Sequence, residues 1–324
     1  MSAANTYTGS TSVSSGILSL TNAQALQNSA LDTTASVTGT TTAGLRTAVT
    51  TLTLGGLTGN KNLAAVFATG GGASAGQYST ITGLTLNPGT GVTRTYSAAI
   101  TNGAAGGMTL TKTGLGTQVL SGTNTYTGAT TVSAGTLVVN GSISTSSLTT
   151  VASGGTLGGT GTVGKTVISA GGTLAVGTSP GTMTFTDTLG LSGTTVMEID
   201  GTAGAGVNPN GHDFINLTGA GAAGVLTYGG TLTLDIGVVF GNGSYSWNLF
   251  DFASETGGFT EITLADQYSG TLTNAGSGVW GLSSGFNTWQ FTESTGVLGL
   301  TVVPEPRAAL LGSLGMLMLL RRRR

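Results

Sequence analysis

The chain has 324 residues, 58 of them glycine, no cysteine, and only 7% charged residues against a usual share of about a quarter. The glycines follow no strict three-residue period, which excludes a collagen helix, and ordinary hydrophobicity with a net charge of −2 excludes a disordered polyelectrolyte. Without cysteine there is no disulfide scaffold, zinc–thiolate site or thiol catalysis.

The charges are unevenly placed. Before Pro304, five basic residues (Arg46, Lys61, Arg94, Lys112 and Lys165) stand against eleven acidic ones, a net of −6. From Pro304 onward, five arginines against Glu305 leave +4. A mildly acidic body presents no basic surface to phosphates, so nucleic acid is not an expected partner.

At the start, Met1-Ser2-Ala3-Ala4-Asn5 has neither the basic n-region nor the apolar h-region of a signal peptide. Asn5-Thr6-Tyr7-Thr8-Gly9 then leads into Val13-Ser14-Ser15-Gly16-Ile17-Leu18. Asn124-Thr125-Tyr126-Thr127-Gly128 leads into Val132-Ser133-Ala134-Gly135-Thr136-Leu137 with the same spacing. The chain is therefore expected to open inside a repeat unit of a longer reading frame.

Residues 20–105 are less regular. Ala25 to Leu31 suits either a helical turn or a strand–corner–strand, whereas Leu52-Thr53-Leu54 and Leu84-Thr85-Leu86 have the alternation of strands. Gly70-Gly71-Gly72 and Asn87-Pro88-Gly89 are loop signals.

From Met108 the pattern sharpens. Gly135-Thr136-Leu137, Gly155-Thr156-Leu157 and Gly172-Thr173-Leu174 recur at spacings of 20 and 17 residues. Each heads a short alternating stretch, which places every second side chain on one face. A unit this short cannot bury its apolar face alone, so units must stack as coils of a solenoid. Threonine, β-branched, is expected on the outward rows. The run 108–141, with Leu110-Thr111-Lys112-Thr113-Gly114 ahead of the Asn-Thr-Tyr-Thr-Gly element, resembles the autotransporter-associated β-strand repeat, and residues 1–20 resemble a partial copy. That resemblance implies a right-handed parallel β-helix in a bacterial surface protein, with no catalytic residues to carry over.

From about residue 183 the composition shifts toward acidic and aromatic residues, including all three tryptophans. Gly229-Gly230-Thr231-Leu232-Thr233-Leu234 restarts the coil pattern, and Tyr245 to Phe250 and Trp289-Gln290-Phe291 form aromatic alternating strands. Such strands suit a cap over the open end of a solenoid, where a bare edge would invite aggregation. The expected organisation is thus all-β: β-helix repeats over 1–182, continued solenoid with an aromatic-rich cap over 183–302, and a separate tail over 303–324.

In the tail, Pro304-Glu305-Pro306 precedes an apolar run, 308–320, and then Arg321, Arg322, Arg323 and Arg324. Thirteen helical residues rise about 20 Å, short of a hydrocarbon core of roughly 30 Å. Four arginines directly after such a short hydrophobic helix act as a stop signal and put that end on the cytoplasmic side. The three elements in this order resemble the PEP-CTERM sorting signal of Gram-negative bacteria. The resemblance implies transient anchoring in the inner membrane through 308–320, cleavage near Pro304-Glu305-Pro306 by an exosortase-type processing enzyme, and release to the cell surface or an exopolysaccharide matrix.

Several motifs invite chemistry. Gly159 to Thr166 fits G-x-x-x-x-G-K-T, and Gly159, Gly161 and Gly164 fit G-x-G-x-x-G. A phosphate cradle needs a helix to follow, yet Val167-Ile168-Ser169-Ala170-Gly171-Gly172 cannot start one, so a solenoid corner is expected and no cofactor. His212, the only histidine, adjoins Asp213 but has no G-x-S-x-G partner, so no catalytic residue is expected there. Asp200 and Asp213 with nearby asparagines are oxygen ligands of the kind calcium takes, but the nonapeptide calcium repeat is absent and no metal site is assigned. Asn140, Asn216 and Asn242 head N-x-S/T triplets, which carry little meaning in a bacterial chain.

Together these features point to an exported, non-enzymatic structural or adhesive surface protein. A carbohydrate-binding protein would use Trp247, Trp280 or Trp289 as stacking platforms. A β-helical polysaccharide-degrading enzyme would need carboxylates along adjacent coils, and 108–180 contains no Asp or Glu.

Overall fold

The computed structural model describes residues 1–69, 77–104, 106–177, 179–207, 210–219 and 224–303. Among these, the regular structure is almost entirely strand, with only short 3-10 turns such as Leu63–Val66, Tyr78–Thr80 and Glu293–Thr295. The stretch left open between helix and strand resolves into turns followed by the strand Ala30–Asp32. Gly70-Gly71-Gly72 and the whole tail from Pro304 lie outside the described residues.

The strands form a parallel solenoid whose coils pass through three sheets in turn. One coil runs through Thr130–Val132, Gly135–Val139 and Ser142–Ile143; the next repeats the path through Thr149–Val151, Gly155–Gly159 and Thr162–Val163. The following coil uses Thr166–Ile168, Thr173–Val176 and Thr182–Phe185. The register is parallel throughout: Thr117, Thr136, Thr156, Thr173 and Thr194 pair in succession, at coil offsets of 19, 20, 17 and 21 residues. Thr194 then pairs with Thr231, and Thr231 with Glu261, so the ladder crosses the compositional shift near residue 183 without a break. The suspected rungs at Thr51–Leu54 and Gly83–Leu86 pair directly, Leu52 with Leu84 and Leu54 with Leu86.

Alternation accounts for the interior. Thr173–Val176 and Thr231–Ile236 bury every second residue, and Leu137, Leu157 and Leu174 stack into one fully buried column. Threonine departs from the expected outward placement in part. Thr53, Thr85, Thr111, Thr131 and Thr150 do form an outer row of the sheet that holds Thr130–Val132. On the same sheet, however, Thr130, Thr149 and Thr166 stack inside with no exposure, in the column that holds Leu110 and Leu189 in neighbouring coils. A single β-branched residue fits either side of a pleat, and Thr-Thr pairs hide which one faces in. Thr130 meets its polarity cost through Tyr126 Oη at 2.7 Å and Ser146 Oγ at 2.9 Å.

Corners are tight where coils stack. A Cβ on Gly141 would sit 2.1 Å from the Gly122 carbonyl oxygen, and one on Gly161 would sit 2.2 Å from that of Gly141. Only glycine permits backbones to approach this closely.

After Glu261–Asp266 the direction reverses. Gly270–Gly276, Val279–Ser284, Asn287–Thr292, Val297–Val302 and Gly243–Asn248 extend the same sheet with antiparallel pairing. The inner face of this extension closes the solenoid with aromatic rings. Phe291 lies 6.1 Å from both Phe250 and Phe259, and Tyr228 packs on Phe259 at 4.8 Å. The buried carboxylate of Glu293 ties the two parts, accepting from the Phe259 amide at 2.7 Å and from Trp280 Nε1 at 3.0 Å.

Candidate functional site

The phosphate-binding pattern dissolves into coil geometry. Gly155–Gly159, Thr162–Val163 and Thr166–Ile168 are strands, so no helix N-terminus follows Lys165 to face a phosphate. Gly159 has φ of +111°, and a Cβ there would lie 2.3 Å from the Val139 carbonyl oxygen. The glycines of the motif serve the approach of successive coils.

His212 and Asp213 are both buried but do not act on each other. His212 pairs through Nε2 with the Asn248 carbonyl oxygen at 3.0 Å, and its buried Nδ1 has no partner. The Asp213 carboxylate accepts from the Gly181 and Glu198 amides, each at 2.8 Å. Burial holds the imidazole pKa below its ordinary value and pushes the Asp213 carboxyl up to about 7. Asp213 thus stitches its loop to the strand Thr194–Ile199 and to Gly181, which precedes the strand Thr182–Phe185.

The tryptophans are not platforms. Trp247, Trp280 and Trp289 expose 1%, 5% and 1% of their surface. Trp247 stacks on Trp289 at 6.2 Å and donates from Nε1 to the Gly201 carbonyl at 2.7 Å. A sugar cannot reach rings packed in this way, so stacking recognition through these residues is excluded.

The outer face of the antiparallel extension carries instead a cleft of about 500 Å³. Gly281 and Gly299 flank Gln290 in register and leave its floor low, while Thr273, Ser283, Thr288 and Thr301 stand around it. This lining is uncharged and mixes those polar groups with Tyr245, Val279, Leu282 and Leu300.

Charge is partitioned along the solenoid. Asp32 is the only acidic residue in 1–186, and no lysine or arginine occurs in 183–303. In the acidic half, Glu198 pairs in register with Asp235, and Ile236 with Asp266. Burial, then the neighbouring carboxylates, raises the pKa of both Glu198 and Asp200. Among the described residues no three or more His, Cys, Asp or Glu side chains converge as a metal site.

Sequence reasoning also passed over Lys112. It is fully buried, and its Nζ donates to the carbonyls of Thr113 at 2.6 Å and of Gly114 and Ala134 at 3.0 Å. The strand Thr109–Lys112 alternates, so its inward parity with Leu110 was the available signal.

Pro304, Glu305, Pro306, Arg321, Arg322, Arg323 and Arg324 fall outside the described residues, as does the hydrophobic helix expected at 308–320. Among the described residues, no helix is long and apolar enough to cross a membrane.

The fold so described is that of an all-β parallel solenoid closed by an antiparallel cap, and comparison with known families agrees with its repeats. The passenger-associated-transport-repeat matches residues 1–20 and 110–139. Both segments lie in the stacked coils, the second spanning Thr117–Leu120, Thr130–Val132 and Gly135–Val139. Comparison with curated proteins finds no match.

Proposed function

We propose that this chain is an exported, non-enzymatic surface protein whose solenoid serves as a structural or adhesive passenger outside the cell. The observation that carries the proposal is the passenger-associated-transport-repeat within the stacked coils. The coils are taken to wind right-handed, as parallel crossovers do in about 98% of cases. The tail supplies the route: Pro304-Glu305-Pro306 as the sorting motif for an exosortase-type processing enzyme, 308–320 as a transient inner-membrane anchor, and Arg321 to Arg324 as the cytoplasmic stop. The mature body then joins the cell surface or an exopolysaccharide matrix of a Gram-negative bacterium. Expression with an N-terminal export signal in an exosortase-bearing host tests the route. Release of a shortened body, blocked by replacing Glu305 with Ala, is expected, and an unprocessed chain in both cases refutes it.

Carbohydrate binding without catalysis is the second reading, favoured by the uncharged, glycine-floored cleft on the cap. Incubating the purified chain with polysaccharides separates the alternatives. Retention lost in Gln290→Ala supports recognition by the cap, retention unaffected by that change points to the coils, and cleavage products refute the non-enzymatic proposal.

A further inference from the structure

We propose that Arg94 and the cleft it lines form a binding site for an oxyanion, taking the carboxylate or sulfate group of an acidic glycan. The glycan as source rests on the surface role proposed above; the oxyanion chemistry does not.

Arg94 occupies an unusual place. Its strand, Thr93–Tyr96, pairs in register with Thr117–Leu120, which sets Arg94 beside the fully buried Gln118, in the inward column that continues to Leu137. A guanidinium therefore stands where later coils carry leucine. The chain makes room for it at Gly56, whose φ is +132° and where an added Cβ would lie 2.5 Å from Arg94 Cγ. Gln118 screens the inner side, exchanging hydrogen bonds with the Leu57 amide at 3.0 Å and the Leu57 carbonyl at 2.9 Å.

One donor of the half-buried guanidinium is left unmatched. Its Nε is buried with no hydrogen-bond partner. Such a donor in a native protein calls for an explanation, because a buried polar atom left without a hydrogen bond is costly. The chain itself offers no anion nearby in sequence. Asp32, the only carboxylate in 1–186, accepts from the Thr34 and Ala35 amides in its own turn.

The space in front suits an oxyanion. Arg94 lines a cleft of about 120 Å³ with Thr8, Asn28, Gly55, Asn87 and Gly89. At about 30 Å³ per water, that is room for a carboxylate or a tetrahedral anion with a water beside it. The Asn87 amide is committed to the Gln27 carbonyl and to the Thr113 hydroxyl. Asn28 Nδ2 donates to the Asn5 carbonyl at 3.3 Å, Thr8 stands at the rim, and the planar fork of an arginine matches a two-oxygen anion.

The test follows the arginine Nε–H signals of the full chain by ¹H–¹⁵N correlation, with the Arg94 signal assigned by its loss in Arg94→Gln. Gln keeps the stem over Gly56; should that variant not fold, Arg94→Lys supplies the assignment. Tri-galacturonate, sodium sulfate and the neutral cellotriose are titrated at constant ionic strength. The expected result is a saturable shift of the Arg94 signal with both anions, none with cellotriose, and, by titration calorimetry on both proteins, tri-galacturonate affinity at least tenfold weaker in the variant. Saturation by sulfate alone keeps the site and removes the glycan as its source. No saturable shift with either anion, an equal shift with cellotriose, or unchanged tri-galacturonate affinity in the variant overturns the site. Retention of the chain on an acidic polysaccharide, measured in parallel, reports on the surface role separately. Retention that survives Arg94→Gln supports that role independently of the site, which stands or falls on the titration.

Discussion

Replacing Gly141 by alanine probes what holds the coils at their spacing. Its φ is not in the left-handed region, so the added methyl acts through space alone. The new Cβ would lie 2.1 Å from the Gly122 carbonyl oxygen and 2.6 Å from the Ser121 carbonyl carbon, and both are backbone atoms that no rotamer change can move. Relieving contacts this short means opening the gap between two coils by about 1 Å. Three hydrogen bonds cross that gap: Asn140 N and Gly141 N to the Leu120 carbonyl, each at 3.0 Å, and Ser142 N to the Gly122 carbonyl at 3.1 Å. Stretched by about 1 Å, these leave the range of real hydrogen bonds. At about 1 kcal/mol each, with about 1–3 kcal/mol of packing strain, the substitution should cost about 4–6 kcal/mol. That is a large part of the 5–15 kcal/mol typical of a whole domain. Urea unfolding followed by far-ultraviolet circular dichroism measures it. Gly241→Ala is the control, since nothing lies within 4 Å of its added Cβ, and it should stay within about 0.5 kcal/mol of the parent. Coinciding midpoints for the two variants would refute close coil stacking as the reason for glycine at this corner.

Three further outcomes follow from buried polar groups. The Asp213 carboxyl, raised to about 7 by burial, binds a proton more tightly folded than unfolded, where a carboxyl titrates near 3.9. Stability should therefore rise as pH falls from 8 toward about 6.5 at fixed ionic strength, with Glu198 and Asp200 shifted in the same direction, while below that His212, held low by burial, works the other way. A urea midpoint that drops over this interval contradicts the assignment. Thr149 and Thr195 each bury a hydroxyl with no partner, so Thr149→Val or Thr195→Val should raise stability by about 1 kcal/mol, whereas a lowered midpoint would reveal a hidden acceptor. Lys112→Met keeps the stem and removes the donor from three carbonyls, and should cost about 1–3 kcal/mol in the same assay. No loss would mean that solvent already serves those carbonyls.

Much of the architecture could be read from local pattern. The Gly-Thr-Leu triplets at 135, 155 and 172 anticipated a ladder in which Leu137, Leu157 and Leu174 stack, because a period of two and a period of one coil are both written in the chain. The aromatic alternation at 245–250 and 289–291 likewise anticipated strands of a cap. The candidate sites were less legible. Whether Trp247 and Trp289 face a ligand or each other depends on which face of the antiparallel extension meets the last coil, and alternation does not name that face.

Composition and repeat spacing by themselves determined that this chain stacks short strands into coils, since each unit is too small to bury its own apolar face. Only the tertiary structure decided which side of each pleat turned inward. Thr130, Thr149 and Thr166 went inside among leucines, Lys112 found three carbonyls, and Arg94 was left over Gly56 with its Nε unpaired. The physical reason is that a polar group's fate depends on partners brought in from neighbouring coils. Local pattern fixes parity within a strand, and stacking alone supplies those partners.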